Sequence, residues 1–423
     1  MRLDAFSNTY STDPAKTWKK ILGFHGRQVS YDPELDLWLI AGNENVRTAL
    51  TDATRFSNRT TMAPVRPLSR EAAVVFAQLD VPDVLADADR AQHTRIRAIL
   101  RAVFPNTGDK LEKVWGARIA DRVDQVVNDL ASHDRADLMR NVAARLPLLV
   151  IADILGMAAD ELAANFDSAD GSAALLWGDL DADAQLGVVG GLVHLWDDCR
   201  NTVTAKTTTP GDGLIGDLLR YRGGDDARLT LEEIAALAFH LTVAAWEATA
   251  GTLGHALECA LTDRSRWARL ADDNHYLATH VEESLRHSPA IDGRLRVTTS
   301  DVTLDNVTIP AGSQCLLLIG TANHDPRVFA NPDRFDPDRA WLSQHLTFGA
   351  GPHSCIGSAL ARITLTTTLR ALARSLPQLR LAGDYQRRFR PNLTLRSHQA
   401  LPVITNAAGR CPLNREATAG ERP

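Results

Sequence analysis

One segment limits the architecture more than any other: Leu229 to Asp263, LTLEEIAALAFHLTVAAWEATAGTLGHALECALTD. Thr230 and Glu233 stand in capping-box spacing, which starts a helix there, and the periodic pattern continues to about Leu261. At 1.5 Å per residue that helix is roughly 45 to 50 Å long, enough to cross a whole domain. Apolar residues occupy most of its faces, so it needs neighbours packed around it rather than one wet side.

The rest of the chain supplies mostly helices as those neighbours. Leu and Ala outnumber Val, Tyr and Phe, and apolar positions recur at helical spacing from about Leu111 to Met157, with Asp, His and Arg breaks between helices. Short strands are expected near LDLWLIAG (Leu35 to Gly42) and, after Pro289, in RLRVTTSDVTLDNVTIPAGSQCLLLIG. NENVRTALTD reads as a helix capped by Asn43. The Pro-rich stretch HDPRVFANPDRFDPDR is either an ordered meander or a disordered one. A helix follows at SALARITLTTTLRALARSLP, and strands near LTLRSHQALPV close the fold. The fold class is mainly α with small β-sheets, one domain over residues 1–405, with a frayed tail over 406–423.

Net charge is −6 and the basic residues are scattered, which argues against nucleic acid. The N-terminus lacks an apolar core of signal-peptide length, and the run from Ile234 to Trp246 is interrupted by His240. A cytoplasmic protein without membrane attachment is expected. Five widely spaced cysteines then make disulfides improbable, and the sequons at Asn58, Asn306 and Asn392 carry no glycan.

GDGLIG, Gly211 to Gly216, satisfies GxGxxG but follows no strand, so it reads as a loop entering a helix. LTFGAGPHSCIG, Leu346 to Gly357, is far more specific. Cys355 has no cysteine two or three residues away, which removes zinc-knuckle and CxxC chemistry. Placed before a helix, its thiolate is favoured by the positive dipole end and unpaired N–H groups, and can ligate iron. A buried structural cysteine is the competing reading, and the preferred one for Cys199, Cys259, Cys315 and Cys411.

With Phe348, Gly349, Gly351, His353, Cys355 and Gly357 all in place, the segment resembles the haem-binding signature of the cytochrome P-450 haem-thiolate monooxygenases, F-G-x-G-x-H/R-x-C-x-G. The resemblance implies a triangular helical prism holding haem b between the long helix and the cysteine-loop helix, with Cys355 as the iron ligand. Phe348 and Gly349 would shape the sulfur's surroundings. Glu283 and Arg286 in VEESLR match the family's E-x-x-R, alone only a surface pair, and Arg339 in FDPDR stands where the family completes that network. His93 and Arg97 in QHTRIR, Arg296, and His353 match its haem-propionate partners.

The departure lies in the long helix. Where the family has A/G-G-x-D/E-T-T, this chain has AAWEAT, so the acid is present as Glu247 but the following threonine is Ala248. The resemblance assigns that acid–alcohol pair to proton delivery, and Thr249, one residue and about 100° further round the helix, points away from that face. Trp246 reads as a packing residue.

Three functions follow. The first is a monooxygenase that hydroxylates or epoxidises a small natural product in secondary metabolism, using dioxygen and electrons from ferredoxin and ferredoxin reductase. It is expected to act as a monomer, with Arg95, Arg101 and Arg362 either a docking patch for the acidic partner or an ordinary solvated surface. The second is oxidative C–C, C–N or C–O coupling of an aromatic peptide or cyclodipeptide without oxygen insertion, which Ala248 keeps open. The third is a non-catalytic haem protein that binds a ligand. Substrate contacts are expected from Thr60 to Asp87, Ser172 to Leu192, Ile291 to Leu295 and Leu393 to His398.

Overall fold

A computed structural model of the protein describes residues 3–4, 6–7, 10, 12–23, 28–105, 107–159, 162 and 171–405; Cys411 and the tail expected to fray lie outside them. The first helices are α1 (Pro14–Leu22), α2 (Asn43–Thr51), α3 (Arg70–Phe76), α4 (Arg90–Val103), α5 (Gly108–Ala131), α6 (Arg145–Leu155) and α7 (Ser172–Trp177). They are followed by α8 (Ala182–Ala205), α9 (Leu214–Arg222), α10 (Leu231–Leu261), α11 (Arg264–Asp272), α12 (Asn274–His287), α13 (Ile319–Asn323) and α14 (Ser358–Ser375).

Helix α10 is the axis. The Thr230 side chain accepts from the Glu233 amide while Glu233 reaches back to the Thr230 amide, closing the capping box the spacing predicts. Such a cap is worth about 1 kcal/mol, so tertiary burial holds the helix rather than its end. From Ala250 to Leu261 every residue is buried, and α6, α8 and α12 pack around it. By length and composition α10 could cross a membrane, yet much of its apolar window is covered by these neighbours, the condition of a core helix.

The sheets are small and set to one side. β1 (Val29–Asp32), β2 (Leu37–Ile40), β3 (Phe56–Ser57), β5 (Arg294–Thr298) and β8 (Gln314–Leu317) form one sheet, in the order β1-β2-β8-β5-β3. Only β2 and β8 run parallel in it. β4 (Arg135–Asp137) pairs with β10 (Pro402–Ile404), which also takes β9 (Arg380–Leu381), and β6 (Val302–Leu304) forms a hairpin with β7 (Val307–Ile309).

Three expectations change in detail. Gly42, at φ +78°, is the N-cap of α2, while Asn43 lies inside the helix and its side-chain amide donates to Ala322 O. The helical stretch from Leu111 to Met157 is broken by β4 and a π-turn at Met139–Ala143, where the chain crosses to meet β10. Leu393 to His398 makes only isolated bridges, Ile291 to Leu395 and Phe389 to His398, instead of a strand. The Pro-rich stretch is an ordered meander, and GDGLIG is a loop leading into α9, with Gly211 and Gly213 at positive φ.

Candidate functional site

The cysteine loop is a tight turn that only glycine permits at two points. Gly349 and Gly351 stand at φ +70° and +72°, and a Cβ on Gly351 would lie 2.8 Å from Thr51 Cα in α2. The Cys355 amide donates to Phe348 O at 2.8 Å, bending the chain back before α14. Gly357 is the N-cap of α14, so Cys355 precedes the helix by three residues, and the Gly357 N–H is the backbone donor that favours its thiolate. Burial pushes the thiol up, against that N–H and the charges of Arg294, Arg97 and Arg362. Cys355 is exposed and lines the adjoining cavity.

Beneath the loop is a charge network with no water-facing side. The Glu283 carboxylate accepts from Arg286 Nε at 2.7 Å and Nη2 at 2.8 Å, and from Arg339 Nε at 3.3 Å. Arg286 also donates to the carbonyls of Asn323 and Pro332, and Arg339 to those of Asn331 and Arg334. Paired charges whose remaining donors are also used can exist in a core; the same arginine alone could not. The network pins the meander, and Asn323 in turn holds the loop by accepting from the Leu346 amide and donating to Thr347 Oγ1.

A second polar group lines one rim of the cavity. His93 on α4 stacks on His353 with ring centroids 3.8 Å apart, both imidazoles held in the neutral form chiefly by desolvation, His353 down to about 3. Arg97 donates through Nη2 to Ser354 O, but its buried Nε has no acceptor. Arg296 donates through Nη1 to Leu295 O and Thr61 Oγ1. Burial pulls its pKa down to about 9, with Arg294 adding in the same direction.

Helix α10 forms the opposite wall of this cavity of about 320 Å³, which is also reached by Thr61, Trp177, Ile291 and Leu395 from the four expected contact segments. Glu247 points to the start of α7, where the Ser172 hydroxyl and the Ala173 amide donate to its Oε1. Ala248 packs on the apolar cluster holding Leu176, Ile291 and Leu395. Thr249 also borders the cavity, so the 100° step does not remove it, and Trp246 packs into the core as expected. Two cavity residues on α10 escaped the sequence reading. Thr252, one turn beyond Ala248, donates its hydroxyl to Ala248 O at 2.7 Å, and His240 lies neutral with Nδ1 unpartnered. The i, i+4 spacing from Ala248 was the signal for Thr252.

Comparison with known proteins agrees with this geometry. A family model described as cytochrome P-450 matches residues 195–376. Cytochrome P-450 107B1 of Saccharopolyspora erythraea is 30% identical over 413 residues, 95% of this chain and 98% of the relative. The chain belongs to the cytochrome P-450 family. The 6-deoxyerythronolide B hydroxylase of the same organism is 30% identical, covering 87% of this chain and 90% of that one. Among solved structures, cytochrome P-450 CREJ in complex with (4-ethylphenyl) dihydrogen phosphate superposes with a TM-score of 0.86 at 27% identity, over 95% of this chain and 100% of that one.

The protein is therefore an enzyme whose cofactor is haem b, and it takes electrons from a redox partner and acts on a small molecule. The residues present fit that cofactor. Cys355 faces the cavity, the orphaned Arg97 Nε and the buried Arg296 call for acceptors, and the stacked neutral imidazoles bring further donors to the same rim. Of the arginines considered for a docking patch, Arg95 is paired with Glu233 and Arg362 with Glu282.

Proposed function

We propose that this enzyme hydroxylates or epoxidises a small natural product in secondary metabolism, in the cytoplasm and as a monomer whose catalytic domain spans residues 1–405. Electrons would come singly from a ferredoxin kept reduced by its reductase. The observation that carries the reading is a largely apolar cavity with the Cys355 thiol on one wall and Glu247, backed by Ser172 and Ala173, on the other. The hydroxylase among its relatives supports the reaction class.

Haem b ligated by Cys355 supplies dioxygen activation and transfer of one oxygen atom to the substrate. His93, Arg97, Arg296 and His353 would hold its propionates, while Phe348 and Gly349 would shape the thiolate's surroundings. The apolar walls exclude water and orient the substrate. Glu247 holds the proton at the cavity wall, its carboxylate positioned by two donors. Ala248 has no hydroxyl with which to pass it on, so a hydroxyl of the substrate, ordered water or the neighbouring Thr249 completes the path.

The alanine favours a second reading, oxidative coupling of an aromatic peptide or cyclodipeptide, in which two hydrogen atoms leave, dioxygen with two electrons from the redox partner and two protons takes them up as two waters, and no oxygen enters the product. Absorbance titration of the ferric protein against macrolides, terpenoids and cyclodipeptides, followed by turnover of the best ligand under isotopically labelled dioxygen, separates the two. A product carrying one labelled oxygen supports the monooxygenase. A product lighter by two hydrogens and free of label would replace that reading with coupling.

A further inference from the structure

The cavity holds a cation that the haem-binding set does not need. Alternation along β5 places Arg294 on the same face as Arg296, and both side chains line the cavity. Arg296 is anchored by Leu295 O and Thr61 Oγ1, and with Arg97, His93 and His353 it would hold the two propionates. Among the described residues Arg294 makes no hydrogen bond and no ion pair, and its half-buried side chain lines the cavity.

The acids that could neutralise it are committed elsewhere. Asp292, two residues back, accepts from the Tyr10 hydroxyl at 2.7 Å and lies in the field of Arg396. Asp89 accepts from Ser57 and from the Asn58 amide, and its charge acts on Arg296. Glu247 accepts from Ser172 and Ala173. Desolvation lowers the Arg294 pKa, and the charge of the Cys355 thiolate acts against it. An arginine withdrawn from water without a partner is costly to a fold, and a buried oxyanion is what removes the cost.

We propose that Arg294 binds an oxyanion of the substrate, a carboxylate or a phosphate ester, and so sets which end of the molecule lies under α10. The neighbouring cavity walls, Ile291, Leu395 and Ala248, are apolar, so the matching substrate is an amphiphilic acid with a hydrocarbon or aromatic body. The inference rests on the monooxygenase or coupling reading only in taking this cavity as the substrate's.

The test uses probes whose imidazole coordinates iron whatever the native substrate is: ω-imidazolyl decanoic acid, its methyl ester, and ω-imidazolyl decyl phosphate. Each is titrated into the ferric holoenzyme and read by the red shift of the Soret band. The acid or the phosphate should bind roughly tenfold or more tightly than the ester, the ratio expected of one buried charge-assisted hydrogen-bonded pair. The better of the two identifies the oxyanion. Arg294→Gln should bring the anions to the level of the ester at unchanged haem content, and Arg294→Lys should retain part of the preference. Equal binding of anions and ester, or a preference that survives Arg294→Gln, would overturn the proposal. So would loss of haem from Arg294→Gln with retention in Arg294→Lys, since Arg294 would then serve the cofactor. A wild-type protein without a thiolate-type Soret band would instead overturn the haem-thiolate chemistry itself, a result distinguishable from all of these.

Discussion

The wall of the cavity that carries Cys355 and the wall formed by α10 are built on opposite rules. Behind the cysteine loop every buried charge has a partner: Glu283 takes two arginines, and those arginines spend their remaining donors on carbonyls of the meander. Facing the cavity, by contrast, several polar groups are left open: among the described residues Arg294 on β5 makes no hydrogen bond or ion pair, His240 Nδ1 on α10 has no partner, and Ala248 stands where a hydroxyl is expected. The network behind the loop is finished by the protein alone, and the rim leaves open only donors such as Arg97 Nε for a cofactor that is always the same. A substrate site has to leave bonds for a molecule that comes and goes.

The contrast can be broken most severely at the cysteine. Cys355→Ser should abolish the thiolate-type Soret band of the reduced carbon monoxide complex and all oxygenase turnover. Any surviving thiolate spectrum would move the ligand to another cysteine, and Cys259 and Cys315 are buried thiols pushed up to about 12, poorly suited to the task.

Next in size is the loss of a charge partner behind the loop. Glu283→Ala leaves Arg286 buried and unpaired, which should cost about 3–5 kcal/mol of stability and release the meander. Thermal unfolding and haem content report both. A shift of only a degree or two would mean that the pair is dispensable and that the two walls differ less than their geometry suggests.

Changes on α10 should leave the fold intact and alter turnover instead. Glu247→Gln keeps the donors of Ser172 and Ala173 partly satisfied but removes the proton acceptor, and a loss of roughly a hundredfold in kcat with little change in ligand-induced Soret shift is expected. Ala248→Thr should act more gently, lowering severalfold the share of electrons lost as hydrogen peroxide. If peroxide release is unmoved, the substrate's own hydroxyl carries the proton, or the reaction inserts no oxygen.

The same two rules explain what could be read from the chain. The cysteine loop and the E-x-x-R pair are short-range patterns, and the structure brings the pair together with Arg339 and sets His93 against His353. The long helix was legible because its capping box and apolar faces are local signals. Arg294 was not, since its meaning depends on Asp292, Asp89 and Glu247 all being bonded to other groups, which no window of sequence records. The tether between Glu247 and Ser172 joins residues 75 apart and was likewise invisible. Asn43 misled because it has a capping residue's chemistry, whereas the chain needed glycine's positive φ at Gly42.

The smallest expected effect tests whether buried charge behind β5 follows the open rule too. Asp292 is fully enclosed, and desolvation raises its carboxyl to about 7 against the pull of Arg396 and Tyr10. The folded protein therefore keeps this proton to about pH 7, whereas the unfolded chain releases it near 3.8. Between those values the native state binds the extra proton, so the contribution to stability is complete below the lower value and drains away as pH rises through the upper. Asp87, also raised to about 7 by burial and by Asp83, has the same sign. Asp292→Asn should thus flatten the decline without removing it. Thermal unfolding followed from about pH 5 to about pH 8 should show the variant gaining a few degrees on wild type at the alkaline end. Parallel curves would mean that Arg396 pairs with Asp292 closely enough to hold it ionised, and the paired rule would then extend behind β5.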